Sequence, residues 1–342
     1  LVQNGEFVEH WDVFMEKLNS LKDDMPMEKF LYENFGGENY ATMRQQITNY
    51  IAGYDTADVK DASAFALREE WNNEDESAQH RIRGGYAALV AFLESECNRL
   101  GVEMHLNSTV QKLEWVSGYA TITTGTAAYC GDKAIVALPL GLLQAPEDAV
   151  GAINFVPDIA LQKKAFSGIG FGSVIKILLE FERPFWNDIH FKQQAGNTPP
   201  GIGFLFTNAQ IPTFWTQAPI NSPLLTGWLG GPPAHDNKNT ADSVILEMAL
   251  QSLSPAFNIA PDSLRRQLKA YKIINWTNKP YTRGSYAYDK PESASARTLL
   301  ATPIEDTIYF TGEYMYSGPA IGTVEAALTS GRDVAEKVLK GL

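Results

Sequence analysis

The sequence has little of what several common kinds of site require. Its two cysteines and five histidines show no spacing typical of a metal site. No apolar run reaches the roughly 18 residues that cross a bilayer. Lys and Arg number 28 against 40 Asp and Glu, a net charge of −12 with no basic run. These shortages argue against a metal centre, a membrane span and nucleic-acid binding. We predict that Cys97 and Cys130 are buried free thiols rather than a disulfide.

The length of 342 residues suggests about two domains, and the 44% hydrophobic content is enough for large cores. The first 80 residues have helical periodicity, and a further predicted helix ends at Gly101. Short β-rich runs follow, then mixed segments, then a final strand, turn and helix. We predict one nucleotide-binding unit built from early and late segments, with a second unit inserted between them. Because the chain begins at Leu1 rather than Met, we expect a trimmed or processed chain.

The C-terminal stretch IYFTGEYMYSGPAIGTVEAAL predicts a strand, a Gly312-Glu313 turn and a helix from about Thr323. A helix N-terminus attracts anions, whereas a carboxylate repels phosphate. We therefore expect Glu313 to accept hydrogen bonds from ribose or ribityl hydroxyls of a nucleotide. The amides near Thr323 and Val324 would meet a phosphate or an electron-rich ring edge. The alternative is a turn that binds no ligand.

Three other features allow two interpretations each. GIGFGS at Gly168 is not a dinucleotide motif, because a strand pattern follows it, so we predict a hinge or close packing. Lys176, in the apolar run SVIKILLEF, is either an edge-strand residue that opposes aggregation or a functional amine facing a cavity. The aromatic residues of NWTNKPYTRGSYAY form either core packing or the wall of a ligand site.

Taken in order, segments covering most of the chain from about Ser63 resemble the flavin-containing amine oxidase family, and most closely its bacterial, monoamine-oxidase-like branch. The matching segments are RIRGGYAALVAFL, NSTVQKLEW, AIVALPLGLLQ, INFVPDIALQKKAFSGIGFGSVIKILLEFERPFW, NWTNKPYTRGSYAY and FTGEYMYSGPAIGTVEAALTSGR. The family's N-terminal G-x-G-x-x-G segment is absent from these residues.

The resemblance implies an α+β or α/β fold of two domains, with a discontinuous FAD-binding domain and a substrate domain of mixed sheet and helices. The expected segments are a helical part of the substrate domain at 1–80, an FAD-binding segment at 81–150, the substrate-domain sheet and helices at 151–275, and a C-terminal FAD-binding segment at 276–342.

The resemblance also implies site residues. Lys176 would hold a water at the flavin and is the expected catalytic residue. Tyr281 and Tyr286 would line the substrate cavity, and Tyr314 and Tyr316 are weaker candidates for it. The residues expected to bind FAD are Val110, Leu138, Pro139, Trp276, Gly312, Glu313, Gly322, Thr323 and Val324.

The implied activity is oxidation of an amine C–N bond to an imine, with O2 reduced to H2O2. One alternative is an L-amino-acid oxidase or a related flavin desaturase, with Arg83 as a conceivable carboxylate ligand. The other is a non-catalytic fragment that lacks the dinucleotide motif and holds no FAD. The implied partners are a small-molecule amine and O2, with a homodimer left open. The compartment, cytoplasmic or periplasmic, is unknown.

Overall fold

The computed structural model describes residue 8 and the ranges 10–73, 82–187 and 203–341. Its helices, in chain order, are α1 Trp11–Asn19, α2 Met27–Phe35, α3 Ala41–Tyr50, α4 Ala64–Asn73, α5 Ala87–Arg99, α6 Leu140–Leu143, α7 Ala160–Ser167, α8 Gly231–Asp236, α9 Asp242–Phe257, α10 Pro261–Gln267, α11 Ser293–Leu300 and α12 Val324–Lys340. A π-helical turn spans Ile51–Asp55, and 3-10 turns span Glu38–Tyr40, Phe185–Asn187, Trp276–Asn278 and Glu313–Met315.

The strands, in chain order, are β1 Val110–Val116, β2 Tyr119–Thr124, β3 Ala128–Gly131, β4 Ala134–Val136, β5 Asn154–Val156, β6 Gly170–Phe171, β7 Val174–Phe181, β8 Phe204–Phe206, β9 Thr213–Trp215, β10 Leu224–Gly230, β11 Leu268–Asn275, β12 Ala287–Tyr288 and β13 Ile308–Phe310. An antiparallel sheet has the order β11-β7-β10-β9-β8, and a mixed sheet has the order β3-β2-β1-β5. β4 pairs with β13 in parallel, and β6 pairs with β12 in antiparallel orientation.

Three hydrophobic cores organise the described residues. One lies among the N-terminal helices, and a second lies between the five-stranded sheet and α9. The third joins residues distant in sequence, because Leu113 to Ile169 pack there with Ala287 to Tyr314. This third core is consistent with a discontinuous unit, although the domain boundaries given above stay predictions.

The glycine motif at Gly168 leads into strand β7, which confirms that it is not a dinucleotide turn. Its glycines permit close packing. A Cβ at Gly170 would lie 2.3 Å from the Tyr288 ring, and one at Gly172 would lie 1.9 Å from Thr56 Oγ1. The motif is thus where β6 meets the N-terminal helices and the C-terminal aromatic segment.

The cysteine prediction is correct in one respect and wrong in another. Both thiols are free, but Cys97 is half-buried and Cys130 is exposed. Cys130 lies on β3, an edge strand of the mixed sheet, so among the described residues one side of the strand has no neighbouring strand. Separately, no helix in the described ranges is long and apolar enough to cross a membrane.

Replacing Gly170 with Ala should lower the free energy of unfolding by about 1–3 kcal/mol, because the new methyl group overpacks against Tyr288. Gly331→Ala is the matched control, since a Cβ at that α12 position meets nothing within 4 Å. The control should gain about 0.5–1 kcal/mol from helix propensity. Urea unfolding of both variants measures the difference, and equal effects would contradict the packing described at Gly170.

Candidate functional site

A large cavity lies between the N-terminal helices, the five-stranded sheet and the C-terminal segments. Its volume is about 2330 Å³, well above the roughly 300–1,000 Å³ of an ordinary small-molecule pocket. The N-terminal helices form one wall and the strands β8 to β10 form another. The third wall comes from the segments 286–289 and 318–323, close to the C-terminal turn.

The C-terminal turn has the predicted architecture. β13 ends at Phe310, the Gly312-Glu313 turn follows, and α12 begins at Val324. Because β13 and β4 are parallel, their carboxyl ends meet at one edge, where Thr311 N donates to Val136 O at 3.1 Å. This edge is the usual ligand-binding edge of a parallel sheet.

The expected FAD contacts Leu138 and Pro139 follow β4 directly and therefore lie at the same edge as Gly312. Val110 lies at the start of β1 in the mixed sheet, opposite Thr124. The contact of these residues with the adenine end of FAD stays a prediction.

The Glu313 carboxylate accepts two backbone hydrogen bonds. Ala287 N donates to Oε1 and Gly322 N donates to Oε2, each at 3.1 Å. Burial raises the pKa of Glu313, while the two amides and the nearby Arg297 partly oppose that rise. Each carboxylate oxygen retains acceptor capacity, so a ligand hydroxyl at Glu313 stays a prediction. What the geometry adds is a structural role in fixing two segments of the cavity wall.

The buried Arg297 contacts the Glu313–Met315 turn on its protein side. Arg297 Nε donates to the carbonyl oxygen of Tyr314 at 3.0 Å, and its guanidinium also contacts the Asp289 carboxylate. Burial lowers the pKa of Arg297 to about 10. The pair connects α11 to the cavity-lining residue Asp289 and to the turn after Glu313.

The N-terminus of α12 lies at the cavity wall. Thr323 caps the helix, since its Oγ1 accepts from Ala326 N at 3.1 Å. The amides of Val324 and Glu325 lie in the first turn, where an α-helix offers no internal acceptor. Gly322 has a φ of 77°, and a Cβ there would lie 2.8 Å from the Tyr286 ring. Gly322 and Thr323 line the cavity.

Lys176 lies on β7, an interior strand of the five-stranded sheet. β7 is flanked by β10 and β11, so the edge-strand interpretation of this lysine is wrong. The predicted alternation is confirmed, because Ile175 and Ile177 are buried in the core while Lys176 faces the other side. Its Nζ lies 5.8 Å from the centre of the Trp215 ring, and Trp215 lines the cavity.

Trp276 begins the 3-10 turn after β11. Thr277 fastens this turn to Val174, two residues before Lys176, with Val174 N donating to Thr277 Oγ1 at 2.8 Å. Trp276 is 41% exposed, and Tyr281 is 51% exposed beside Gly151. Neither is among the residues that line the large cavity. Their contacts with flavin and substrate stay predictions.

Tyr286 and Tyr288 both line the cavity and tie it to the N-terminal helices. The Tyr286 hydroxyl donates to the carbonyl oxygen of Tyr54, and the Tyr288 hydroxyl donates to Asp61 Oδ1 at 2.8 Å. Burial, with the Asp55 carboxylate, raises the pKa of Tyr286. The aromatic segment therefore lines the cavity at these two positions, and its contact with a ligand stays a prediction.

Tyr314 is fully buried in the third core, where its ring meets Phe166 edge-on at 6.2 Å. Tyr316 is half-buried, and its hydroxyl lies close to Gly318. Neither lines the large cavity. Core packing is the role that the contacts of Tyr314 support, and a substrate contact of either residue stays a prediction.

Sequence reasoning missed two groups of lining residues. The first is the set of carboxylates Asp55, Glu69 and Glu70. The second is the set of rings Phe204, Phe206, Trp215 and Trp228. The spacing of two between Phe204 and Phe206 indicates one face of a strand, but no sequence pattern shows which face meets a cavity. In the described ranges, no cluster of three His, Cys, Asp or Glu could hold a metal ion.

Similar folds occur among solved structures of flavin amine oxidases. Cyclohexylamine oxidase from Brevibacterium oxydans IH-35A superposes with a TM-score of 0.74 at 17% identity, covering 98% of this chain and 75% of that one. A putrescine oxidase, described as wild type bound to putrescine, gives a TM-score of 0.72 at 19% identity, covering 92% of this chain and 68% of that one. The predicted fold class, an amine oxidase-like fold with mixed sheet and helices, is confirmed.

The chain belongs to the family of flavin containing amine oxidoreductases, whose model matches residues 10–339. Polyamine oxidase 4 of Oryza sativa subsp. japonica is 28% identical over 288 residues, or 82% of this chain and 53% of that protein. Probable polyamine oxidase 4 of Arabidopsis thaliana is 27% identical, over 76% of this chain and 50% of that protein. The chain thus spans about half the length of these relatives. Because they are plant proteins, the bacterial, monoamine-oxidase-like placement stays a prediction.

The family implies a flavin, and the C-terminal turn is suited to part of one. Gly322 packs against the Tyr286 ring, where a Cβ would clash, and the first turn of α12 offers amides to an electron-rich or anionic edge. The charge of Glu313 is directed at two protein amides. Because these amides pair with the Glu313 carboxylate, the turn can hold a carboxylate close to a helix end that attracts anions.

The raised pKa of Glu313 predicts a pH-dependent stability difference. The native state keeps this proton at pH values above 4.5, the ordinary pKa, where the unfolded chain has already released it. Wild type should therefore lose stability relative to Glu313→Gln as the pH rises from about 4.5 through the raised pKa. Chemical unfolding across this range measures the effect. The control is Glu325→Gln, which removes an exposed carboxylate from α12, and a wild-type–Glu313→Gln difference that does not vary with pH would contradict the burial.

Proposed function

We propose that the whole protein is an FAD-dependent amine oxidase that converts an amine C–N bond to an imine and passes the electrons to O2, giving H2O2. The main support is the charge of the cavity. Among its described lining residues, the charged side chains are the carboxylates Asp55, Glu69, Glu70 and Asp289, with no Lys, Arg or His, although Arg297 behind the wall pairs with Asp289. Such a wall attracts an ammonium group and repels an anion.

The residues that would hold FAD lie at the C-terminal turn and the parallel strand edge. Gly322, Thr323 and Val324 would meet the ring edge through backbone atoms, and Gly312 and Glu313 would meet its sugar-phosphate chain. Leu138, Pro139 and Val110 would contact the adenine end, and Trp276 would pack beside the ring. When bound, FAD supplies the two-electron acceptor for the oxidation.

The residues of the chain would prepare the amine for this reaction. The carboxylates on the N-terminal wall draw the cation toward the cavity. The aromatic walls then remove water from it, and desolvation favours the neutral form of an amine. Lys176 faces the same side of the sheet as the cavity-lining rings. Its positive charge further disfavours a protonated nitrogen nearby, and it would hold a water or guide O2.

We further propose the discontinuous domain division predicted above, because the third core joins its early and late segments.

An L-amino-acid oxidase has less support. A substrate carboxylate is normally paired with arginine, and the candidate Arg83 is exposed in the segment before α5 and is not among the described lining residues.

The proposal predicts that an amine and its α-carboxylated counterpart react differently. With FAD supplied under anaerobic conditions, phenethylamine should bleach the flavin absorbance, and phenylalanine should do so at least tenfold more slowly. The physical reason is repulsion of the substrate carboxylate by the acidic wall. Stopped-flow absorbance measures both rates. Faster bleaching by phenylalanine would favour the amino-acid oxidase, and bleaching by neither would remove the support for amine oxidation.

A further inference from the structure

The extended segment 286–290 connects the N-terminal helices with the C-terminal turn, and we call it the bridge segment. Its side chains alternate in direction, as successive residues of an extended chain do. Three of them contact residues between α3 and α4, and these are Tyr286, Tyr288 and Lys290. Asp289 points the other way, to Arg297 on α11. The bridge segment therefore contacts two parts of the fold through alternate residues.

Asp61 holds two of these side chains. It lies in the turn before α4, where its Oδ1 accepts from the Tyr288 hydroxyl at 2.8 Å and its Oδ2 pairs with Lys290 Nζ at 2.9 Å. Ser63 N, two residues further along, donates to the carbonyl oxygen of Asp289 at 2.7 Å. Both oxygens of Asp61 are thus directed at the bridge segment. Because the Lys290 side chain is only 20% exposed, this ion pair is less screened by salt than a fully exposed pair.

The bridge segment contacts the C-terminal turn by a first route through Glu313. Ala287 N donates to Glu313 Oε1, and Gly322 N donates to Oε2 of the same carboxylate, each at 3.1 Å. Gly322 also lies against the Tyr286 ring, since a Cβ there would be 2.8 Å from a ring carbon. The position of Gly322, immediately before the cap of α12, therefore depends on where the bridge segment lies.

A second route runs through Arg297. Its guanidinium contacts the Asp289 carboxylate, and its Nε donates to the carbonyl oxygen of Tyr314 at 3.0 Å, in the 3-10 turn that begins at Glu313. Because Arg297 is only 5% exposed, the contact with Asp289 compensates a buried charge. Two separate sets of contacts therefore connect the bridge segment to the C-terminal turn.

We propose that Asp61 is a positioning residue for the C-terminal turn that would hold the flavin. It acts through Tyr288 and Lys290 on the bridge segment, and through the bridge segment on Gly322. This inference rests on the proposed function and adds to it a residue that is not among the described cavity lining. Without the Asp61 carboxylate, the Tyr288 hydroxyl and the Lys290 ammonium would both lose this partner, and the bridge segment would lose two of its attachments to the turn before α4.

The consequence for a flavin follows from the precision that ligand binding requires. Binding groups must be held to within about 0.5 Å of the productive geometry, and the contacts behind them provide that precision. With Asp61 in place, the first amides of α12 would need no rearrangement to meet a ligand. Without it, part of the binding free energy would go into ordering the turn. The affinity for FAD should therefore fall.

The test is amide hydrogen exchange in the FAD-free chain, which reports local opening of the structure. In Asp61→Leu, which is similar in size but has no hydrogen-bonding side chain, the amides of Ala287 and Gly322 should both exchange about three- to tenfold faster. In Asp61→Asn, the increase should be smaller, because this variant keeps an acceptor for Tyr288 and loses only the charge that pairs with Lys290.

Glu180→Gln is the matched control, because Glu180 on β7 forms an ion pair of similar length, 2.8 Å, with Lys269 on β11, and neither residue lines the cavity. It should leave both exchange rates unchanged. The amide of Leu179, buried on β7, should stay unchanged in every variant, since only a loss of global stability would alter it. Faster exchange at Ala287 with an unchanged rate at Gly322 would overturn the inference, because the effect of Asp61 would then end at the bridge segment.

Titration of the same variants with FAD measures the effect on the site itself. The dissociation constant should rise about two- to fivefold in Asp61→Leu and stay unchanged in Glu180→Gln. When Glu313→Gln is combined with Asp61→Leu, the loss should be smaller than the product of the two single losses, because both residues act on Gly322. Multiplicative losses would overturn the inference. A wild-type chain that binds no FAD would contradict the proposed function, whereas the exchange rates would still decide whether Asp61 positions the turn.

Discussion

The Glu313 carboxylate holds together the part of the fold on which the candidate site depends. Its two oxygens accept from the amides of Ala287 and Gly322, which belong to separate segments of the cavity wall. One of these segments carries Tyr286 and Tyr288, and the other leads into the cap of α12. Ionisation of this buried group costs desolvation, and the two amides with Arg297 partly offset that cost. The carboxylate therefore fixes the positions of two protein segments, and it would affect a ligand at the helix end through those segments.

Charge is distributed unevenly around the cavity. Carboxylates lie on its N-terminal wall, whereas the ammonium of Lys176, which is not among the lining residues, lies 5.8 Å from the ring centre of Trp215 on the sheet side. In the proposed function, an amine bound in the cavity would lie between these carboxylates and this ammonium. Such a position would favour the approach of a cation and, close to Lys176, the neutral form of an amine. A site for an amino acid would need the opposite charge where the substrate carboxylate lies.

Local patterns predicted much of this structure. The terminal strand, turn and helix, the alternation around Lys176 and the Gly101 end of α5 follow from short-range spacing, and each is confirmed. The grouping of Phe204, Phe206, Trp215 and Trp228 on one cavity wall could not be predicted in the same way. It requires β8, β9 and β10 to pair in register, and only the folded sheet shows which face is left uncovered by α9. The exposure of Cys130 likewise depends on β3 being an edge strand.

We propose that the C-terminal turn and the cavity together form a single site on this chain that binds both a flavin and an amine. The most direct test is an equilibrium titration of the purified chain with FAD, followed by absorbance near ~450 nm. We expect a saturable change in the flavin band at one FAD per chain, and a further change when phenethylamine is added. A spectrum that stays that of free FAD throughout the titration would contradict it.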